Sequence, residues 1–201
     1  MPEVNVVGDL VLTTTDEFQA LADPLAIALT DRLRPGVTAT TADLAEQVDE
    51  SASSVAQKLE ELERVGIVTS AEDGWRAVAN GFSFEIPEEP TPQAAARALA
   101  NVMLLQYVDV PTQWVAGDEA RLEIDWARAA GLFNARPALT PGELRGVQQR
   151  LEELLEPFLT RAAEDVPADA HPVRILAYFL PDAAPTTEPR GSSVRPPNEE
   201  R

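Results

Sequence analysis

The sequence predicts a mainly α fold with a small β component, and three features between Thr40 and Val78 carry the prediction. Ala42, Leu44, Ala45 and Val48 form an apolar stripe at helical spacing. Asp49-Glu50-Ser51 breaks that pattern. Val55, Leu59 and Leu62 then mark one face of a second helix, Ser51 to Val65, which stops at Gly66, a residue free to adopt the left-handed conformation that ends helices. Ile67-Val68 opens a strand, Asp73-Gly74 is a strong two-residue hairpin signal, and Trp75 to Val78 returns. Two helices across a short turn, followed at once by a β-ribbon, make a winged helix-turn-helix unit.

The elements before it are short. Val4 to Thr13 is β-prone and forms a leading strand interrupted at Gly8-Asp9, and Thr15 or Asp16 caps a helix carrying Phe18 and Leu21. Asp23-Pro24 is a helix start, with Asp as N-cap and Pro at the first helical position. Leu25, Ile27, Leu29 and Leu33 follow, and Pro35-Gly36 ends the helix. Residues 1–80 are thus one winged helix-turn-helix domain.

Residues 81–91 read as an acidic, proline-punctuated connector. From Pro92 a long helix places Leu99, Val102, Met103, Gln106, Tyr107 and Val110 at helical spacing until Pro111. Between 112 and 139 the sequence predicts burial of Trp126, Leu132 and Phe133 and a strand near 131–139. Thr140-Pro141-Gly142-Glu143 is an N-cap, a first-turn Pro and an acidic first turn. The helix it opens carries Leu144, Val147, Leu151, Leu154, Leu155, Phe158, Leu159 and Ala162, with Pro157 placed to kink it. Val173 to Leu180 reads as a strand. Residues 92–180 are therefore an α+β dimerisation or effector region, and 181–201, rich in Pro, Thr, Ser and charge, a disordered tail.

Composition narrows the function. The 201 residues contain no Cys, which excludes disulfides and thiolate chemistry. No signal peptide and no apolar run near the roughly 20 residues of a membrane span are visible, so a soluble, cytoplasmic protein is expected, with no membrane partner. The net charge is −18, and residues 21–80 alone hold five basic against eleven acidic side chains, a net of −6. Phosphate neutralisation supplies most affinity for DNA, so this acidity opposes tight non-specific binding. Neither a nucleophile elbow nor a phosphate loop nor a metal-ligand spacing occurs; no enzyme activity, cofactor or metal is expected.

At motif level residues 18–79 resemble the ArsR-type winged-helix transcriptional regulators. The likeness begins at Ala20-Leu21-Ala22-Asp23-Pro24-Leu25 and continues through Ala42-Asp43-Leu44-Ala45-Glu46-Gln47-Val48. It is strongest from Ser51 to Val68, where Ser51, Ser53, Val55, Leu59, Leu62, Gly66 and Val68 follow the family's recognition helix and first wing strand without a gap. The remainder is similar to long members with a helical C-terminal part, through Leu139 to Leu144 and a late Pro-Val-Arg-Ile strand at 172–175. This chain has Ala26 and Ala28 where the family often carries Arg, and Arg76 as the one cation of its wing. With no Cys and only His171, it lacks the donors of the metal-sensing members.

The resemblance implies a dimeric DNA-binding transcriptional regulator, with double-stranded DNA as partner. The candidate DNA-binding residues are Ser51, Ala52, Ser53, Ala56, Gln57, Lys58 and Arg76. Short side chains let a backbone approach the groove, Gln57 suits adenine, and Lys58 suits guanine or phosphate. The competing reading is a solvated helix face with Ser51 as N-cap. Arg76 either meets phosphate on the wing or pairs with Glu72; Arg32 and Arg34 either meet phosphate or sit where helix C-termini favour cations. Met103, Tyr107, Trp114, Trp126 and Phe133 are candidates for a small-molecule effector pocket, or for core and dimer packing. His171 reads as a loop residue and Glu152-Glu153-Glu156 as a solvated face. The alternative function is an acidic winged-helix protein–protein interaction module without productive DNA binding.

Overall fold

The computed structural model describes residues 3–33 and 37–182. Pro35-Gly36, the expected helix stop, Arg34, and the expected tail from 183 to 201 lie outside the described residues. The chain divides into two units, Met1–Val166 and Pro167–Arg201.

Capping residues set the starts of the helices in the first unit. Helix α1, Thr15–Leu21, is capped by Thr14 rather than by Thr15 or Asp16: the Glu17 amide donates to the Thr14 hydroxyl, and the Glu17 carboxylate accepts from the amides of Thr13 and Thr14 at 2.8 Å. Helix α2, Pro24–Arg32, starts as the sequence predicts, with the Asp23 carboxylate accepting from the Leu25 amide at 2.8 Å. Helix α3, Thr41–Val48, follows a second capping box, Thr40 with Asp43. Helix α4, Ala52–Arg64, follows Ser51.

These helices close on one core: Phe18 and Leu21, Ile27, Leu29 and Leu33, Leu44, then Val55, Leu59 and Leu62, all but removed from solvent. The core does not stop at residue 80. The leading strand shrinks to β1, Leu10–Val11, with Val4 folding back to bridge Leu10; the wing strands β2, Val68–Ala71, and β3, Gly74–Ala77, pair with each other. The partner of β1 is β4, Phe82–Ser83, parallel to it, so the expected connector holds a strand. Phe84 then meets Phe18 edge-on, with ring centroids 5.5 Å apart. Helix α5, Pro90–Tyr107, starts two residues earlier than expected and seats Ala95, Ala96 and Leu99 in the same core. At its far end the Tyr107 hydroxyl donates to Asp31 at 2.8 Å.

Burial then gives out. Helix α6, Val110–Gln113, a π-helical turn, Trp114–Asp118, and a 3₁₀ turn, Glu119–Arg121, lead to helix α7, Ile124–Ala129. Trp126 is half-buried rather than core. The strand expected at 131–139 does not form, and Leu132 and Phe133 are 74% and 94% exposed. Backbone there meets no strand edge to pair with, and a lone strand leaves its amides to water. Helix α8, Pro141–Leu159, opens on the expected Thr140–Glu143 capping box and runs through Pro157 in its last turn, but leaves Leu154 and Phe158 largely exposed. In the second unit the described residues, 167–182, contain no strand, contrary to the expectation for 173–180; Val173, Ile175 and Leu180 face solvent.

The N-terminal segment lies beside α8. The Asn80 side-chain amide donates to the carbonyls of Val7 at 2.9 Å and Leu159 at 3.2 Å. Burial raises the pKa of Asp9, and the charge of Glu152 raises it further. A carboxyl raised on folding favours the native state most when protonated, so this contribution is complete below the ordinary carboxylate range and is lost as pH climbs through the raised value. Asp9→Asn should therefore increase the melting temperature at pH 7 and leave it little changed at pH 3. An equal rise at both pH values would show that charge is not the cause.

Candidate nucleic-acid interface

The turn between α3 and α4 is short because Asp49 takes a left-handed conformation, φ +55°, and the Glu50 amide returns to the Ala45 carbonyl at 3.1 Å. Ser51 then accepts from the Ser54 amide at 3.1 Å, and its hydroxyl lies 3.0 and 2.8 Å from those of Ser53 and Ser54. The N-cap half of the competing reading is thus present in the structure. It coexists with exposure: Ser51, Ala52, Ser53, Ser54 and Gln57 all face solvent, and Ala56 is half-exposed. At the far end α4 closes on Gly66, φ +78°, with amides of Gly66 and Ile67 returning to the carbonyls of Glu63 and Leu62 at 3.0 Å. A side chain at Gly66 would meet nothing, so the positive φ alone calls for glycine there.

Lys58 is not on the outward face. Its ammonium lies 2.6 Å from Glu61 and 3.0 Å from Asp23, with only 15% of the side chain exposed. Burial opposes the charge on Lys58, but hydrogen bonds from it to Glu61 and Asp23 outweigh burial and raise its pKa. For Asp23, burial is likewise outweighed, by Lys58 and by the Leu25 and Ala26 amides, and the pKa falls. Lys58 forms a brace that joins α4 to the start of α2. The signal was in the spacing: Lys58 stands three residues after Val55 and four before Leu62, both core positions. By the same count Glu60, which sequence reasoning passed over, falls seven residues after Ser53 on the exposed face.

The wing is a two-stranded ribbon joined by one isolated bridge at Ala39. β2 and β3 pair antiparallel with Ala71 opposite Gly74, so Glu72-Asp73 make the turn, one residue earlier than predicted. Ala39 bridges to Trp75 through two backbone bonds of 2.9 and 2.8 Å, and the Trp75 indole donates to the Thr41 hydroxyl at 3.1 Å. Gly74 is needed for contact rather than for the turn: at φ +138° an added Cβ would stand 2.4 Å from the Ala39 carbonyl oxygen. Glu63 accepts from the Ser70 hydroxyl at 2.6 Å and its amide at 2.8 Å, bonds that lower its pKa and tie α4 to the wing.

Charge around this surface is mixed and mostly negative. Arg64 and Arg76 are exposed, and among the described residues neither has a carboxylate within ion-pair distance, so the Arg76–Glu72 pair does not form. Arg32 is exposed at the end of α2. Around them Glu46, Asp49, Glu50, Glu60, Glu72 and Asp73 are exposed as well.

The five effector candidates are scattered. Met103 and Tyr107 pack against the edge of the core, Trp114 and Trp126 are half-buried on separate elements, and Phe133 is in solvent. A surface cleft of about 460 Å³ is lined by Glu3, Val4, Asn5, Val6 and the Gln149–Glu156 face of α8, and includes none of them. Among the described residues no group of His, Asp or Glu could hold a metal ion, and no helix is long and apolar enough to cross a membrane.

Comparison with known proteins agrees with this geometry. A family described as "Helix-turn-helix domain" matches residues 21–71, from the end of α1 to the end of β2. The chain carries a helix-turn-helix domain. Among solved structures it is similar to a MarR family protein of Mycobacterium tuberculosis, at 17% identity over 71% of this chain and 74% of that one, with a TM-score of 0.24; that likeness is too weak to bear on fold or function. No curated protein matches the chain.

Proposed function

We propose that the protein is a sequence-specific DNA-binding transcriptional regulator of ArsR type, acting as a homodimer in the cytoplasm. One observation carries the reading. One face of the N-terminal half of α4 is exposed and bears short polar side chains and Gln57, with a two-stranded wing, bridged at Ala39, braced beside it. Such a helix lies in a major groove with its exposed face on the base edges, and a dimer places two of them in successive grooves of a pseudo-palindrome. The dimer reading is supported by the exposed apolar side chains of α5 and α8, among them Leu105 and Leu154. Met103, Tyr107, Trp114, Trp126 and Phe133 are the aromatic and Met surface from which a small-molecule effector site would be drawn, completed by the partner or by ligand.

The outward carboxylates favour a second reading, an interaction module for a basic protein. The two readings separate in one experiment. The full chain is offered a randomised duplex pool at low salt, its mass is followed by light scattering, and the retained site is titrated with salt. With Lys58 engaged, Arg32, Arg34, Arg64 and Arg76 of each winged unit remain in the sequence, so a dimer neutralises at most about eight phosphates and the log–log slope is about −3 to −7. Twice the chain mass and an enriched, roughly palindromic site are expected. Retention of no duplex, or a persistent monomer, would reject the reading.

A further inference from the structure

The outward stripe of α4 carries one residue that attraction to phosphate cannot explain. Ser53, Gln57, Glu60 and Arg64 follow at intervals of four, three and four, so they lie within about 60° of one another around the helix. Val55, Leu59 and Leu62 occupy the opposite, buried side. Glu60 is exposed, and among the described residues no cation lies within ion-pair distance of it, although Arg64 stands one turn further on. An ionised carboxylate only accepts hydrogen bonds and repels phosphate. On a face that reads DNA it weakens contact with every duplex except one that offers it a donor.

Resting on the reading that α4 enters a major groove, we propose that Glu60 is a specificity-determining residue that selects cytosine. In that groove guanine presents the acceptors N7 and O6, and thymine presents O4 and a methyl group; all are poor neighbours for a carboxylate. Adenine sets its N6 amino group beside the N7 acceptor, a pair that suits the amide of Gln57 rather than two acceptor oxygens. Cytosine presents the N4 amino group as the one polar group of its own edge, with no acceptor on that base. Gln57 and Glu60 are three residues apart, about 4.5 Å along the axis, against a base step of about 3.4 Å. The adenine and the cytosine therefore stand one or two steps apart. Glu60 raises the ratio of specific to non-specific binding chiefly by lowering the second.

The test compares full-length protein with Glu60→Gln and Glu60→Ala, each offered the same randomised duplex pool at low salt and the retained DNA sequenced. Thermal melts check that both variants fold, as an exposed position should allow. The wild-type motif is expected to hold a cytosine within two steps of an adenine. Glu60→Gln should turn that cytosine column toward adenine. Glu60→Ala should lose the cytosine preference about tenfold and hold random duplex more tightly than wild type. A motif unchanged in every column by both variants overturns the inference and leaves DNA binding standing. A wild-type protein that retains no duplex overturns both.

Discussion

Leu59→Ala is expected to lower stability by about 2–5 kcal/mol, the usual cost of removing a buried leucine and leaving a cavity. Leu59 is fully buried in the middle of α4, between Val55 and Leu62, which are equally sealed. The site cannot collapse easily, because α1 and α2 pack against α4 from the other side. A stability of about 5–15 kcal/mol is usual for a domain of this size, so a large share would be lost. Urea unfolding followed by circular dichroism measures the change directly. A loss below about 1 kcal/mol would mean that α4 is not seated on this core. Retention of duplex should fall with the folded fraction, which distinguishes Leu59 from Glu60, where binding changes and stability does not.

Gly74→Ala should cost a further large amount for a different reason. A non-glycine residue at a strained positive φ costs about 1–3 kcal/mol by itself. The added methyl would also stand 2.4 Å from the Ala39 oxygen, 2.8 Å from its carbonyl carbon and 3.1 Å from the Thr40 nitrogen, all backbone atoms that cannot swing aside. Relief requires β3 to leave Ala39, which breaks the two bonds between Ala39 and Trp75 and loosens the indole from Thr41. Hydrogen exchange at the Ala39 and Trp75 amides should therefore rise sharply while the amides of α4 stay protected. Unchanged protection at Ala39 would show that the wing tolerates the methyl, and the close approach would not be a constraint.

The features legible in the chain rest on residues within four positions of one another. Asp23-Pro24, Thr140 with Glu143, Ser51 and Gly66 each bond their own neighbours, so their helix ends could be read from the chain directly. The face of α4 was legible in the same way, apart from Lys58 and Glu60, which a strict count of helical positions would have sorted correctly. The strands expected at 131–139 and 173–180 failed because β-propensity marks a segment able to pair and says nothing about whether an edge is near. The same uncertainty cut β1 to two residues and turned part of an acidic connector into β4.

The sequence by itself determined where α2, α4 and α8 begin, which face of α4 is buried, and the polar character of the opposite face, because capping and helical periodicity act over one or two turns. Only the tertiary structure decided that Lys58 turns to Asp23, 35 positions away in the chain, that β1 finds β4 across more than 70 residues, and that α5 completes the core of the winged unit. Those contacts depend on which surfaces the folded chain brings together, and local rules carry no information at that range. The charge of the outward face of α4 and the wing follows the same division. Its net sign was set by composition, while the removal of its one lysine into an ion pair was set by packing.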